Sequence, residues 1–164
     1  MPRFPAIAIC GAMKKFLTPF FLIVMLAALV AGCSSNNSTT AGLKVELTGL
    51  TRAGDGGTRV AWRVVNPNVI SYIVAQVRLR VYVDGVLIGT VTERDPLAVP
   101  AQSHADRASP LVSAGSDAER KLAAASAAGA GAYRLESAVL VQLYGDITDK
   151  SNLIATGTVP VTTK

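Results

Sequence analysis

The chain has 164 residues, of which half are hydrophobic and only 16% are charged, with a mean hydropathy of +0.38. That composition is too apolar for an ordinary soluble domain, in which about a quarter of the residues are charged. The length excludes a multi-span membrane protein, since only one apolar run approaches spanning length, and one His with two Cys excludes a multi-thiolate zinc site or a disulfide framework.

The first 32 residues differ in composition from the rest. All four Phe, all three Met and three of the 16 basic residues lie there, but none of the 11 acidic residues. Lys14-Lys15 precede an uncharged run over 16–31, which is typical of a signal peptide and short for a membrane-spanning helix. We therefore predict that residues 1–32 are a cleaved signal peptide, and a start at Met13 would give it a more usual length.

Charge beyond the leader is nearly balanced. The 13 remaining basic residues face 11 acidic ones, so the pI near 9.5 is a weak argument for nucleic acid. Basic residues are also not interleaved with aromatic ones, as RNA-binding surfaces require. No nucleic-acid partner is therefore expected.

The residue after the leader is a candidate lipid attachment point. Val30-Ala31-Gly32-Cys33 resembles the lipobox of bacterial lipoproteins, in which a peptidase cuts before the cysteine. That resemblance implies cleavage between Gly32 and Cys33, with a diacylglycerol on the Cys33 thiol as the only bound group; no other cofactor and no metal is expected. Cys33 is the only cysteine after the leader, so it has no intramolecular disulfide partner. The alternative is an uncleaved anchor with an incidental cysteine.

Residues 33–42 are expected to form a flexible tether, because Ser34 to Thr40 is polar and of low complexity. By resemblance to the lipoprotein sorting rule, Ser34 rather than Asp after the cysteine points to the outer membrane. We therefore expect a lipid-anchored protein of the bacterial cell envelope whose domain, residues 43–164, faces the periplasm. Its expected partners are the membrane and an envelope protein, and the sequence names no small-molecule ligand.

The domain begins with alternating apolar and polar residues, the period of half-buried strands. This alternation predicts four strands, over 43–48, 59–64, 73–83 and 86–92. Trp62 is expected to be the main aromatic core residue. In the third strand, the alternation places Ile73 and Ala75 on the core face.

Turn signals separate these strands. Asn66-Pro67-Asn68 ends the second strand, since proline cannot donate to a strand ladder and asparagine side chains fold back on their own backbone. Asp84-Gly85 predicts a two-residue hairpin, because a type I′ turn needs positive φ at both positions. Gly89 is a candidate bulge. Pro96 and Pro100 bracket an extended stretch, and 106–112 is a further candidate strand.

A helix and two strands are predicted for the last third of the chain. Ser116 and Glu119 have the spacing of a capping box, and Gly129 suits a left-handed cap. These signals predict a helix over 117–128 with Leu122 facing the core. Two strands follow, over 133–143 and 154–161. The resulting fold class is an all-β, immunoglobulin-like antiparallel β-sandwich with one short helix before the last two strands.

The order of these features resembles a known domain. A strand that ends in Asn66-Pro67-Asn68, a long strand, the Val83-Asp84-Gly85 turn, Gly89, Val99-Pro100-Ala101, a helix and two strands is similar to the water stress and hypersensitive response (WHy) domain of type 2 late-embryogenesis-abundant (LEA) proteins. The resemblance covers about residues 43–163. It implies a fibronectin type III-like sandwich, an association with desiccation and other stress, and no catalytic residues. Asn66, Pro67, Asn68, Asp84 and Gly85 are therefore interpreted as structural motif residues.

Two small groups could carry chemistry. His104 lies with Ser103 and Asp106, but neighbouring residues in a strand face opposite sides, so a solvated histidine is favoured over a catalytic triad. Asp146, Asp149 and Asn152 could hold calcium, although their spacing is not that of an EF-hand loop. A polar hairpin is the favoured interpretation of that group.

Four arginines form a third group. Arg59 and Arg63 share one face of their strand, and Arg78 and Arg80 share one face of theirs. If the two strands lie in one sheet, the four guanidinium groups could contact lipid phosphates or an acidic partner. A solvated face with cross-strand acids is the favoured interpretation of this group.

These observations favour a protein that is not an enzyme. The leading hypothesis is an outer-membrane lipoprotein that acts in desiccation or envelope stress tolerance through protein or surface contacts. The alternative is an accessory module of the envelope that binds a lipid or another apolar ligand. A hydrolase that uses His104 is a third hypothesis.

Overall fold

The computed structural model describes residues 42–54, 57–143 and 146–163. These residues form nine strands and one helix, which precedes the last two strands as predicted. In chain order the elements are β1 (Lys44–Arg52), β2 (Thr58–Asn66), β3 (Tyr72–Val83), β4 (Val86–Glu93), β5 (Leu97–Val99), β6 (Ser103–Pro110), β7 (Val112–Ser113), α1 (Ser116–Ala128), β8 (Ala130–Gln142) and β9 (Thr148–Thr163).

The strands join into one hydrogen-bonded path, β6-β2-β1-β9-β8-β3-β4-β7, and β5 pairs with β3. Neighbours in the path are antiparallel except β1 and β9, which pair in parallel over Leu50–Arg52 and Val161–Thr163. β9 therefore connects the part of the sheet built on β1 and β2 with the part built on β3 and β8. The all-β class with one helix is confirmed, whereas a sandwich of the fibronectin type III kind stays a prediction.

The sheet is curled, because its two edge strands are consecutive in the chain. β6 and β7 are separated only by Leu111. The Leu111 amide donates to the Thr58 carbonyl oxygen of β2 at 2.8 Å, and the Ala114 amide donates to the Ile88 carbonyl oxygen of β4 at 3.1 Å. A short segment thus contacts both ends of the strand path, which brings those ends together.

The core lies inside this curl. Trp62 is fully buried, as predicted, and its Nε1 donates to the Ser109 Oγ at 3.2 Å. The Ser109 hydroxyl in turn donates to Glu93 Oε2 at 2.9 Å, so the two bonds join β2, β6 and β4. Leu122 of α1 is also fully buried, as predicted. Among the described residues, twenty-five hydrophobic ones are buried in the core, mainly Val and Leu, and burial of such side chains stabilises a fold by about 1.5–3 kcal/mol each.

The predicted core face of β3 is wrong at its start. Val74 pairs with Val141 and Gln76 with Leu140, so Ala75 is an extra residue in β3. Such a bulge reverses the faces on its two sides. Tyr72 and Val74 are therefore buried before it, while Ile73, which the alternation placed inside, is 46% exposed.

The helix begins differently from the prediction. Gly115, with φ of 118°, is the N-cap, and no side chain caps α1, so the Ser116–Glu119 capping box does not form. Instead, the Glu119 amide donates to the Gly115 carbonyl oxygen at 3.1 Å, and the Glu119 carboxylate lies 3.9 Å from Arg52. The far end agrees with the sequence, since Gly129 has φ of 78° and forms a left-handed cap.

Gly89 lies next to a bulge rather than in it. Val81 pairs with Gly89 and Tyr82 with Leu87, so Ile88 is the extra residue in β4. A Cβ atom at Gly89 would overlap the carbonyl oxygen of Val112 in β7. The close approach of these two backbones is therefore the reason for glycine at this position.

Candidate functional site

The Asn66-Pro67-Asn68 motif forms a buried corner, here called the Asn66 corner. The Asn66 side chain is fully buried, and its Nδ2 donates to the carbonyl oxygens of Ile70 at 2.8 Å and Pro100 at 3.0 Å. Its Oδ1 accepts from the Asn68 amide at 3.0 Å. The corner thus ties the end of β2 to the loop before β3 and to the β5–β6 connection.

Asp84 and Gly85 form the predicted hairpin geometry, with φ of 45° and 81°. The Asp84 side chain extends the hairpin to two other elements. Its Oδ1 accepts from the Ala132 amide of β8 at 3.1 Å, and its Oδ2 lies 3.1 Å from the Lys121 Nζ of α1. The Lys121 hydrogen bond, followed by that of Ala132, lowers the pKa of Asp84. All these contacts lie within the domain.

His104 lies at an exposed edge of the sheet. Its Nε2 is 3.6 Å from Asp106 Oδ2, and the two side chains are 47% and 54% exposed. Asp106 also accepts two hydrogen bonds from the Arg63 guanidinium, at 2.7 and 3.0 Å, which lower the pKa of the Asp106 carboxyl. Ser103 precedes His104 in β6 and therefore faces the opposite side. The three residues do not converge.

The candidate calcium ligands are also separated. Asp149 and Asn152 both belong to β9, at an odd spacing that puts them on opposite faces of the strand. Asp146 lies in the turn before β9. Within 42–54, 57–143 and 146–163, no three His, Cys, Asp or Glu side chains cluster in a way that could hold a metal ion.

The four arginines do not form the single patch that a shared sheet face would give. β2 and β3 are separated in the strand path by β1, β9 and β8. Arg63 is paired with Asp106, and Arg59 donates to the Ala108 carbonyl oxygen at 3.4 Å. Arg59 and Arg63 thus bind cross-strand partners on β6, while Arg78 and Arg80 lie on a different part of the sheet.

Arg78 and Arg80 belong to a different basic surface, here called the outer face of β3, β8 and β9. It is defined by the outward positions of these strands. The register brings Arg80, Glu136 and Ile154 into one row across the strands, and Arg78, Ala138 and Asn152 into the next. A groove of about 530 Å³ runs between the two rows and continues onto β4. Its exposed apolar side chain is Ile154, which is 73% exposed.

Glu136 is surrounded by partners on this face. Its carboxylate accepts from the Arg134 guanidinium at 2.6 Å and from the Tyr82 hydroxyl at 3.2 Å, and it lies 3.6 Å from Arg80. The Arg134 guanidinium also stacks over the Tyr82 ring, 4.5 Å from its centre. The Glu136 carboxylate therefore contacts two arginines and a tyrosine at once.

A smaller depression of about 270 Å³ adjoins the groove and shares Arg78 and Ala138 with it. It is here called the Gln76 depression, and its other lining residues are Gln76, Val139, Leu140 and Lys150. Sequence reasoning singled out Arg78 but not Arg134, Lys150 or Gln76. The alternation around Arg134 on β8 and Lys150 on β9 was a usable signal for one outward face, but it did not tell which strands pair with β3.

An apolar cleft lies between the start of β1 and the middle of β9, where these strands are not paired. Its volume is about 440 Å³, and its wall includes the core residues Leu43, Val45 and Tyr133 and the partly buried Leu153. Lys44 and Glu46 stand at its polar side. The cleft could take an apolar group from outside the chain.

The predicted lipid attachment and cleavage positions, Cys33 and Gly32, lie outside the described residues, as do the predicted signal peptide and most of the tether. Over 42–54, 57–143 and 146–163, no helix combines the length and the hydropathy needed to span a membrane.

No protein-family model and no curated protein matches this chain. Among solved structures, a protein from Archaeoglobus fulgidus is 14% identical, over 73% of this chain and 94% of that one, with a TM-score of 0.44. A protein from Arabidopsis thaliana is 15% identical over 74% and 80%, with a TM-score of 0.49. A third structure, provisionally described as a late embryogenesis abundant (LEA) protein, is 14% identical over 92% and 91%, with a TM-score of 0.43. These likenesses do not assign a function.

Proposed function

We propose that this chain is a non-enzymatic, lipid-anchored protein of the bacterial outer membrane with a domain of the LEA type 2 (WHy) kind. In this proposal the domain is a fibronectin type III-like sandwich on the periplasmic side. It acts in desiccation or envelope stress through contacts with proteins or surfaces. The observation that carries the proposal is Cys33 directly after Ala31-Gly32, followed by a polar tether and the Asn66-Pro67-Asn68 motif.

The geometry of the domain favours contact over catalysis. The motif residues Asn66 and Asp84 are engaged in hydrogen bonds that tie elements of the fold together. His104 lies near Asp106, which already accepts hydrogen bonds from Arg63. The largest concavity described above is instead an open groove on the outer face of β3, β8 and β9, which suits an extended or flat partner.

The anchor is tested by the intact mass of protein extracted from membranes. Wild-type protein is expected to begin at Cys33 and to carry the mass of a diacylglycerol, and Cys33→Ala is expected to lack both the cleavage and the added mass. Cys10→Ala is the matched control, because Cys10 precedes the cleavage position and leaves the mature mass unchanged. Wild-type protein without acyl mass would refute the anchor.

The stress role is tested by drying and rehydrating a deletion strain. Survival is expected to fall relative to the parent strain, and plasmid-borne wild type is expected to restore it, whereas Cys33→Ala is not. A deletion strain that recovers like its parent would count against the role in desiccation. It would leave the mass measurement at Cys33 unaffected, so the two parts of the proposal are judged separately.

The second candidate is a module that binds a lipid or another apolar ligand. The cleft between β1 and β9 favours it, because Leu43, Val45 and Leu153 line its wall. Mass spectrometry of organic extracts from the purified Cys33→Ala protein, which carries no lipid of its own, tests this function. Extracts without a co-purifying lipid would contradict it.

A further inference from the structure

The Gln76 depression presents hydrogen-bond donors with no acceptor. The Gln76 Nε2 is buried and makes no hydrogen bond with any described residue. Arg78 and Lys150 line the same depression, and no acidic side chain of the described residues lies within 4.0 Å of either. A buried donor without a partner costs about 1–3 kcal/mol, and an amide that turns toward an acceptor in the depression would remove that cost.

Glu136, the acidic residue of the outer face, is not available as a hydrogen-bond acceptor for Gln76, Arg78 and Lys150. Glu136 is the acidic residue at the described outward positions of β3, β8 and β9, and Arg80, Arg134 and Tyr82 already hold it. Four basic residues share the face with it: Arg78, Arg80, Arg134 and Lys150. The net positive charge of this one face therefore exceeds that of the whole chain after residue 32.

The spacing of the donors favours a ligand with several acceptor oxygens. Gln76 and Lys150 lie in one row across the strands, with Leu140 of β8 between them, and Arg78 lies in the next row. Strands are about 4.8 Å apart, so the first two Cα atoms are separated by roughly 10 Å. An Arg and a Lys that line one depression beside an amide are groups of the kind that commonly bind phosphate.

We propose that the Gln76 depression binds a phosphate group. The adjoining groove shares Arg78 and Ala138 with the depression and leads along the strands to Ile154. An apolar substituent on the phosphate would lie there, as the acyl part of a phospholipid would. The inference deepens the proposed function by naming what the outer face contacts in the envelope. It does not require the anchor at Cys33, which the mass measurement tests separately.

The experiment uses the full chain, purified in a neutral detergent, and calorimetric titration at low salt. The probes are inorganic phosphate, dihexanoylphosphatidylglycerol and dihexanoylglycerol, which lacks phosphate. Both phosphate probes are expected to bind and dihexanoylglycerol is not. Tighter binding of the phospholipid identifies a lipid phosphate as the ligand, and equal binding identifies a free phosphate. Binding of neither phosphate probe, or equal binding of dihexanoylglycerol, would overturn the proposal.

Variants test the position of the site. The double variant R78Q/K150Q is expected to bind phosphate at least about tenfold more weakly, because two charge-assisted hydrogen bonds are lost. K44Q/R59Q removes the same charge from β1 and β2 and is the matched control, with unchanged affinity expected. Equal weakening in both doubles would show binding to net charge alone and would overturn the site.

Gln76→Glu gives a second readout that does not depend on added ligand. A carboxylate at this position supplies the anionic partner that Arg78 and Lys150 lack, from within the chain. The variant is therefore expected to lose phosphate binding and to unfold at a higher temperature than the wild type. A lower Tm together with undiminished phosphate binding would contradict the assignment.

Discussion

The Asn66 corner and the outer face of β3, β8 and β9 use polar side chains in opposite ways. In the corner, a fully buried amide reaches two carbonyl oxygens and one backbone amide, all within the chain. On the outer face, Arg78 and Lys150 line a depression where they have no acid within reach, among the described residues. The polar groups of the corner are satisfied within the fold, whereas those of the depression are the ones that we propose contact a ligand.

The largest expected effect is at the corner. Asn66→Ala leaves the Ile70 and Pro100 carbonyl oxygens without their donor, so we expect the free energy of unfolding to fall by about 2–4 kcal/mol. Urea unfolding measures it. Asn152→Ala, at an exposed position of β9, is the matched control and is expected to change stability by less than about 0.5 kcal/mol. Similar losses in both variants would remove the distinction between the two regions.

A smaller, pH-dependent effect is expected at Asp84. Because Lys121 lowers its pKa, ionised Asp84 stabilises the folded state above the usual Asp pKa of about 3.9, and this contribution is lost as the pH falls through the lowered value. The Tm difference between wild type and Asp84→Asn is therefore expected to shrink between about pH 5 and pH 3. Asp95→Asn, at an exposed loop position, serves as the control. A difference that is constant with pH would contradict the role of the charge.

The smallest effect is expected on the outer face. Arg78→Gln removes no ion pair and is expected to leave Tm within about 1 °C of the wild type. Arg63→Gln removes the paired contact with Asp106 and is expected to lower Tm by no more than about 3 °C. Thermal unfolding followed by circular dichroism measures both. A larger loss for Arg78→Gln than for Arg63→Gln would show that Arg78 serves the fold.

Features with a local cause could be predicted from the sequence. Trp62 follows from alternation over a few residues, and the positive φ angles at Asp84, Gly85 and Gly129 follow from turn and cap chemistry. The exposure of Ile73 could not be predicted, because the bulge at Ala75 depends on how β3 meets β8. Alternation by itself contains no signal for an extra residue.

The candidate site could be predicted only in part from the sequence, for the same reason. Two of the four arginines were correctly placed on one face of β3, yet their neighbours come from β8 and β9, more than fifty residues later in the chain. The conditional grouping with Arg59 and Arg63 does not form, because strand order separates β2 from β3, and the pairing of Arg63 with Asp106 fits the favoured interpretation of a solvated face with cross-strand acids. Which strands share a sheet is decided by burial of the whole core, and no short motif encodes it.

The position of β9 has a consequence for how the domain folds. β9 lies between β1 and β8 in the strand path, so the first strand completes its pairing only with the last one. Contacts between residues so distant in sequence form slowly, since a long loop must be closed before they contribute. Until residues 148–163 are available, β1 and β8 keep open edges, and such edges recruit other strands. A chain that ends before Thr148 is therefore expected to aggregate rather than to form a smaller domain.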